Sequence, residues 1–572
     1  MLPTFSFSNS VMAAERIYAS YSALELSIPV TILETYAKTG ILNDGWGFYQ
    51  QYFPVRQTQE IRDILLKPIK ISPVIASQLL NTQQGEFLLR RLAELIKTKS
   101  SQSDAELKAL KSALILAAGE PEGLTLLSLL RKYPNNSIHI DLAHSLEIAG
   151  ELERFIQKNQ EAIALVTEQS NMEAAKIAQE DLSQLPNVQT SGKFRQQKYT
   201  INFFDSTRDR LLITDIYVPD VPKPAPVIVV SHGLGLDSSN FSYLATHLAS
   251  HGLVVVVPNH PGSDTKQLQS FINSNSSELA APAEFIDRPL DVKFILNQLE
   301  KSNQSDRRFH NRLNLEQVGV FGQSFGGYTA LALAGAKINF AQLAKDCQPQ
   351  ALQTTWNMSL LLQCHALDLQ AQEYDLRDER VKAAIAVNPI TSSIFSQEGL
   401  NQVQTPVMIV GSSEDMIAPT LHEQILPFSW FTNPEKYLVL LVGGTHFSTI
   451  GNSSPSSQQV ALPQEMVGDA SQARSYMNAL SLSFFQTYVA QNSKYLPYLN
   501  AAYTKSISSQ SLGLSLVQSL SSQELLSISG NHNQGTKAVK KTSDNCGQNW
   551  LLAAGYLLIL VKRVWGLVKV KI

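Results

Sequence analysis

Cysteine and net charge are what this sequence has least of. Its three cysteines, Cys347, Cys364 and Cys546, show no C-x-x-C spacing and are too few to build a tetrahedral zinc site by themselves. Lys and Arg number 46 against 49 Asp and Glu, a formal net charge of −3, so the chain has no strong field of one sign with which to hold a nucleic acid. Charged residues make up only 17% of the 572 and hydrophobic ones 44%, a composition typical of soluble globular proteins. At about 100–200 residues per domain, the length predicts two or three folded units. No metal or cofactor is expected.

The two ends are ambiguous. Residues 1–14 carry no charge and close on Val11-Met12-Ala13-Ala14, small residues of the kind that precede a signal-peptidase cut, yet a basic start and a full apolar core are missing. Two alternatives stand: a truncated signal on an exported protein, periplasmic or extracellular, or a frayed terminus on a cytoplasmic one. In the first case Cys347 and Cys364 could pair as a disulfide; in a reducing compartment they stay thiols. At the other end, residues 529–572 pass from a polar linker into a short apolar tail. Residues 550–561 are apolar throughout but fall short of the roughly 20 needed to span a bilayer. Lys562, Arg563, Lys569 and Lys571 accompany them, with no acid after Asp544. Weak contact with a membrane surface is one expectation for this tail, and a buried or disordered end is the other.

Between these ends the pattern changes once. Over 15–186 apolar residues recur at three and four, as in Phe87-Leu88-Leu89-Arg90-Arg91-Leu92, and Asp104 looks like an N-cap; only 19–33 hints at extended chain. This predicts a separate helical domain with no catalytic constellation. From 194 to 528 the period becomes extended. Runs 199–204 and 211–218 flank a polar turn and predict a hairpin. Short apolar runs follow at 227–230, 253–257, 318–321, 381–387, 407–410 and 437–442, separated by segments of helical length. Strands apolar on both faces are what a parallel sheet covered by helices needs. The fold class is therefore α/β, a doubly wound, mostly parallel sheet opening on an antiparallel hairpin, with 508–527 reading as a closing helix.

The chemistry is concentrated at Gly322-Gln323-Ser324-Phe325-Gly326, which follows a strand and precedes small helical residues. In that setting the glycines permit a sharp strand-to-helix turn, a nucleophile elbow, that lifts the Ser324 hydroxyl above the sheet. Such a hydroxyl attacks only when a base takes its proton, and in this topology an acid and then a histidine follow the serine. His446 stands after the last strand, in Gly443-Gly444-Thr445-His446. The loop after 406–411 offers both Glu414 and Asp415 as the acid. The oxyanion made by attack needs prepared donors, each worth on the order of 3 kcal/mol. The Phe325 amide is one; the Leu234 amide, in Ser231-His232-Gly233-Leu234-Gly235, is the expected second. His251 and His422 read as surface residues, His260 and His365 as residues near the pocket.

Val230-Ser231-His232-Gly233-Leu234-Gly235, Leu248-Ala249-Ser250-His251-Gly252 and Gly322-Gln323-Ser324-Phe325-Gly326-Gly327 together resemble the platelet-activating-factor acetylhydrolase and predicted dienelactone hydrolase branch of the α/β hydrolases, over about 194–527. The resemblance implies a cofactor-free esterase acting on small-molecule or lipid-like carboxylic esters. It assigns the triad to Ser324, Asp415 and His446, with Asp415 preferred to Glu414, and the oxyanion hole to Leu234 and Phe325. Gln323 departs from the acetylhydrolase pattern, which has histidine there, and Ser324 from the cysteine of true dienelactone hydrolases. Residues 337–378, with Cys347 and Cys364, look like a lid insertion. Residues 14–140 are similar to a helical domain of unknown function that precedes hydrolases in some bacterial exported proteins. A peptidase or amidase with the same triad, and a lipid-binding protein reusing the fold, are the competing expectations.

Overall fold

A computed structural model describes residues 14–21, 24–41, 59, 62–63, 65–69, 71–97, 103–177, 185–273, 276, 278–452 and 467–530. The proposed signal segment lies outside these residues except for Ala14, as do the C-terminal tail beyond 530 and Cys546. Contacts divide the chain into two units, the first taking residues up to 156 and the second 157–533.

The first unit is mainly helical, and the hint of extended chain at 19–33 falls on two of its strands. Among the described residues it holds a four-stranded sheet of order β2-β1-β4-β3, made of β1 (Arg16–Tyr21), β2 (Leu24–Pro29), β3 (Ile96–Lys97) and β4 (Ser137–Asp141). These strands are short, and β4 is half-polar, Ser137-Ile138-His139-Ile140-Asp141, with only Ile138 fully buried. So brief an alternation is masked by the helices around it. The helices themselves follow their caps: Ser72 accepts from the Ile75 amide ahead of Pro73, Thr82 accepts from Gly85, and Thr125 and Ser128 form a reciprocal capping box, each such cap contributing about 1 kcal/mol. Asp104 does not cap its helix, which begins at Ser103. Ile17, Leu33, Leu110, Leu114, Leu127 and Ile138 meet in one core.

The division by contacts falls within helix Leu142–Lys176. Its later half belongs to the second unit: Ala162 and Val166 are fully buried there, Asn159 Oδ1 accepts from the Leu421 amide at 2.8 Å, and Ser170 Oγ accepts from the Leu516 amide at 3.0 Å.

Among the described residues the second unit is built on nine strands, β5 (Gln196–Asp205), β6 (Arg210–Pro219), β7 (Ala225–Ser231), β8 (Val254–Pro258), β9 (Leu313–Gln323), β10 (Val381–Val387), β11 (Val407–Ser412), β12 (Lys436–Val442) and β13 (Gly513–Val517). Their order is β13-β12-β11-β10-β9-β7-β8-β6-β5. The six from β7 to β12 run parallel, while the β5–β6 hairpin and β13 are antiparallel. Period-two alternation sends Val227 and Val229 to one buried face and Ile228 and Val230 to the other. Helices Glu284–Ser305 and Phe325–Leu333 cover the first face, and Ser242–Ser250 and Ala470–Tyr488 the second. Burying each such aliphatic side chain contributes about 1.5–3 kcal/mol. One expectation fails here. Leu512, Leu514 and Leu516 are not a helical stripe: Leu514 and Leu516 alternate along β13, paired with β12, and helix returns only at Ser522–Ser529.

Candidate active site

β9 delivers the chain to Ser324 in the middle of the sheet, and helix Phe325–Leu333 begins immediately after it. Ser324 itself has φ 55° and ψ −117°, a backbone state that costs a non-glycine residue about 1–3 kcal/mol. Its surroundings impose that state. The Ser324 N–H donates to the Val387 carbonyl at 2.8 Å; a Cβ on Gly322 would overlap the Gly326 carbonyl, and one on Gly326 would overlap that of Ser231. Neither flanking glycine can therefore carry a side chain without moving backbone.

Two later loops, both at carboxyl ends of strands, reach the serine. His446 stands beyond β12, with Nε2 2.9 Å from Ser324 Oγ and Nδ1 2.6 Å from Asp415 Oδ2. With the proton on Nδ1, the imidazole donates to the carboxylate and keeps a lone pair for the serine O–H, a tautomer assigned from the hydrogen bonds. Asp415 follows β11; its Oδ1 accepts the Ile417 and Ala418 N–H groups, each at 2.8 Å. Glu414 is exposed, and its backbone N–H donates to the Gly444 carbonyl at 2.8 Å. Of the two candidate acids, Asp415 is the one against the imidazole. All three members are largely sealed, Ser324 being 8% exposed.

Two amide side chains fix the histidine loop. The His446 carbonyl accepts from Gln323 Nε2 at 3.1 Å and from Asn388 Nδ2 at 3.2 Å, and both residues are wholly buried. Asn388 also donates to Ser412 Oγ at 3.1 Å and has φ 43°. It escaped the sequence analysis. Its signal was an asparagine, the type most tolerant of positive φ, at the carboxyl end of the apolar run 381–387, where rim residues belong. Gln323, noticed only as a departure from the acetylhydrolase pattern, has a definite task here.

The two expected oxyanion donors are the amides of Phe325 and Leu234. Phe325 opens its helix, so its N–H has no acceptor one turn back. Leu234 lies in the loop after β7, whose Gly233 backbone packs so closely on Gln323 that a Cβ would overlap the side-chain oxygen. The Gly235 N–H, at φ 73°, donates to the Ser263 carbonyl at 2.9 Å.

The other histidines correct expectation. His260 does not line a pocket; it is fully buried, with Nε2 3.0 Å from Ser231 Oγ and Nδ1 3.0 Å from Asp291. His251 and His422 are half-buried rather than on the surface, as is His365. His365 follows the last α-helix of the 337–378 insertion, which holds Phe340–Asp346, Pro349–Thr354 and Met358–Cys364 and is closed by a Cys347–Cys364 disulfide. The insertion meets the fully buried Glu423, whose carboxylate accepts from Asn357 Nδ2, from Gln363 Nε2 at 3.0 Å, and from the Thr391 and Ser392 amides at 2.6 and 2.9 Å. Among the described residues no group of three or more His, Cys, Asp or Glu is arranged to hold a metal ion.

Comparison with known proteins agrees with this architecture. A family model described as "Alpha/beta hydrolase of unknown function (DUF1400)" matches residues 13–141, and the chlorophyllase family model matches 184–346, a stretch that includes the loop after β7 and the elbow. The second unit has the α/β-hydrolase fold. Chlorophyllase-1, chloroplastic, from Citrus unshiu and the protein of the same name from Citrus sinensis are each 30% identical to this chain over 128 residues. That stretch is 20% of this chain and spans only 33% of each relative.

Proposed function

We propose that the protein is a serine hydrolase of carboxylic esters, acting through an acyl-enzyme on Ser324. The observation that carries this reading is the unbroken chain from Ser324 Oγ through His446 to Asp415, at 2.9 and 2.6 Å, with the serine raised on a positive-φ turn. Ser324 Oγ attacks the ester carbonyl carbon as its proton passes to His446 Nε2. Asp415 holds the resulting imidazolium, and the Leu234 and Phe325 amides receive the oxyanion. The intermediate collapses, His446 returns the proton to the departing alcohol, and water repeats the sequence to free the acid and Ser324.

The substrate we propose is a lipid-like ester. The acetylhydrolase resemblance supports it for short acyl groups, and the chlorophyllase likeness makes chlorophyll a compound to assay. The 337–378 insertion serves as a lid over the acyl pocket. The Cys347–Cys364 disulfide favours an exported protein, since such cross-links persist in oxidising compartments. The decisive experiment incubates the protein and Ser324→Ala with a fluorophosphonate probe, p-nitrophenyl esters of graded chain length and chlorophyll. Labelling at Ser324 with ester turnover lost in the variant is expected; absence of both from the native protein refutes the reading.

A further inference from the structure

Arg288 is a fully buried arginine on helix Glu284–Ser305, and the mechanism above gives it no task. Removing a guanidinium from water costs several kcal/mol unless it is well engaged, so its contacts are informative. One terminal nitrogen donates to the His232 carbonyl; the other donates to Ser263 Oγ at 3.2 Å. Ser263 in turn accepts the Gly235 N–H through its carbonyl. Both ends of the 232–235 loop are thus tied to this arginine. The guanidinium also lies 4.7 Å from the centre of the Phe325 ring, the residue expected to supply the other oxyanion donor. Glu284 and Asp291, the nearby carboxylates, are both engaged by Arg210, at 2.8 Å in each case.

His232 completes the arrangement. Its Nε2 lies 3.0 Å from the backbone N–H of His260, which can only donate, so Nε2 carries the lone pair and Nδ1 the proton. Nδ1–H therefore donates to the Gly233 carbonyl, 2.7 Å away. Burial, and then the neighbouring Arg288 charge, hold the His232 pKa well below the usual histidine range, which keeps this neutral tautomer in place. In a trans peptide the C=O and the following N–H point in opposite directions. Fixing the Gly233 carbonyl thereby fixes the direction of the Leu234 N–H.

We propose that His232 and Arg288 are positioning residues of the oxyanion hole, pinning the carbonyls of two successive peptides so that the Leu234 amide on the far edge faces the reacting oxygen. This rests on the serine-hydrolase reading. Neither residue touches the substrate; each acts through backbone.

The test compares His232→Leu, His232→Asn, Arg288→Met and Arg288→Lys in the full chain. It measures kcat and KM on a p-nitrophenyl ester, inhibition by a trifluoromethyl ketone that forms an oxyanion adduct, inhibition by the corresponding non-electrophilic alcohol, and Tm. Loss of a whole donor costs about 100- to 1,000-fold, so a misaimed one should lower kcat about 10- to 100-fold in His232→Leu and Arg288→Met. KM and alcohol binding stay within about threefold while ketone affinity falls in step with kcat, because the loss concerns the transition state. Asparagine can replace the Nδ1 donor and lysine a guanidinium donor, so both conservative variants recover part of the loss and keep the test alive if a truncation fails to fold. Folded variants with lowered Tm but native kcat and ketone affinity overturn the proposal. A native protein without ester turnover or ketone inhibition instead overturns the hydrolase reading and takes this proposal with it.

Discussion

Two Ser–His–Asp chains stand in the second unit, and they differ in almost everything except residue type. Ser324–His446–Asp415 has contacts of 2.9 and 2.6 Å; Ser231–His260–Asp291 has contacts of 3.0 and 3.0 Å. The first serine sits on a turn at φ 55° and is 8% exposed, whereas the second ends a regular strand and is fully buried. The acids differ more. Asp415 Oδ1 is held by neutral backbone N–H groups, while Asp291 is bridged by both Arg208 and Arg210 at 2.8 Å. A base must accept a proton to act. Burial, and then Arg288, Arg210 and Arg208, hold the His260 pKa well below the usual range, so its imidazolium is disfavoured. Under the proposed hydrolase reading, access and local charge, rather than the order of the hydrogen bonds, distinguish Ser324 from Ser231.

The largest separation between the two chains should appear at the serines. Ser324→Ala is expected to lower kcat/KM about 10,000-fold or more, while Ser231→Ala keeps fluorophosphonate labelling of Ser324; labelling of Ser231 in the Ser324→Ala protein would break the comparison. The acids should split activity from stability. Asp415→Asn should lower kcat by about 100- to 10,000-fold with little change in Tm. Asp291→Asn, by leaving two half-buried arginines with one carboxylate partner fewer, should cost about 1–3 kcal/mol in denaturant unfolding. The smallest effect concerns pH. His232 and His260 stay neutral in the folded protein but protonate near pH 6.5 when unfolded. Their contribution is therefore intact above pH 6.5 and is lost on acidification, by about 1.4 kcal/mol per pH unit for each proton taken up. Urea titrations at successive pH values should show this slope, and His260→Gln should reduce it.

The sheet was legible because β7 to β12 are runs of aliphatic residues too continuous for anything but strands buried on both faces. Ser324 and His446 were legible because turn chemistry and chain order place them. What stayed hidden depends on contacts distant in sequence. Gln323 and Asn388 meet at the His446 carbonyl, 123 and 58 residues from it, and neither lies in a motif that announces this. Arg288 left a trace, since it occupies the apolar stripe formed by Phe285, Val292, Ile295 and Leu299 on its helix, where a charged residue needs a reason. The small sheet of the first unit was lost because strands such as Ser137–Asp141 are too short and too polar to outweigh the helical period around them.

Both cysteines of the disulfide lie within the 337–378 insertion, and so do Asn357 and Gln363, the two side chains it presents to Glu423. The segment between the cysteines is thus a cassette, cross-linked to itself and carrying its own plug for a socket built into the rest of the unit. The cross-link limits how far the segment can spread, and Asn357 and Gln363 set where it meets Glu423.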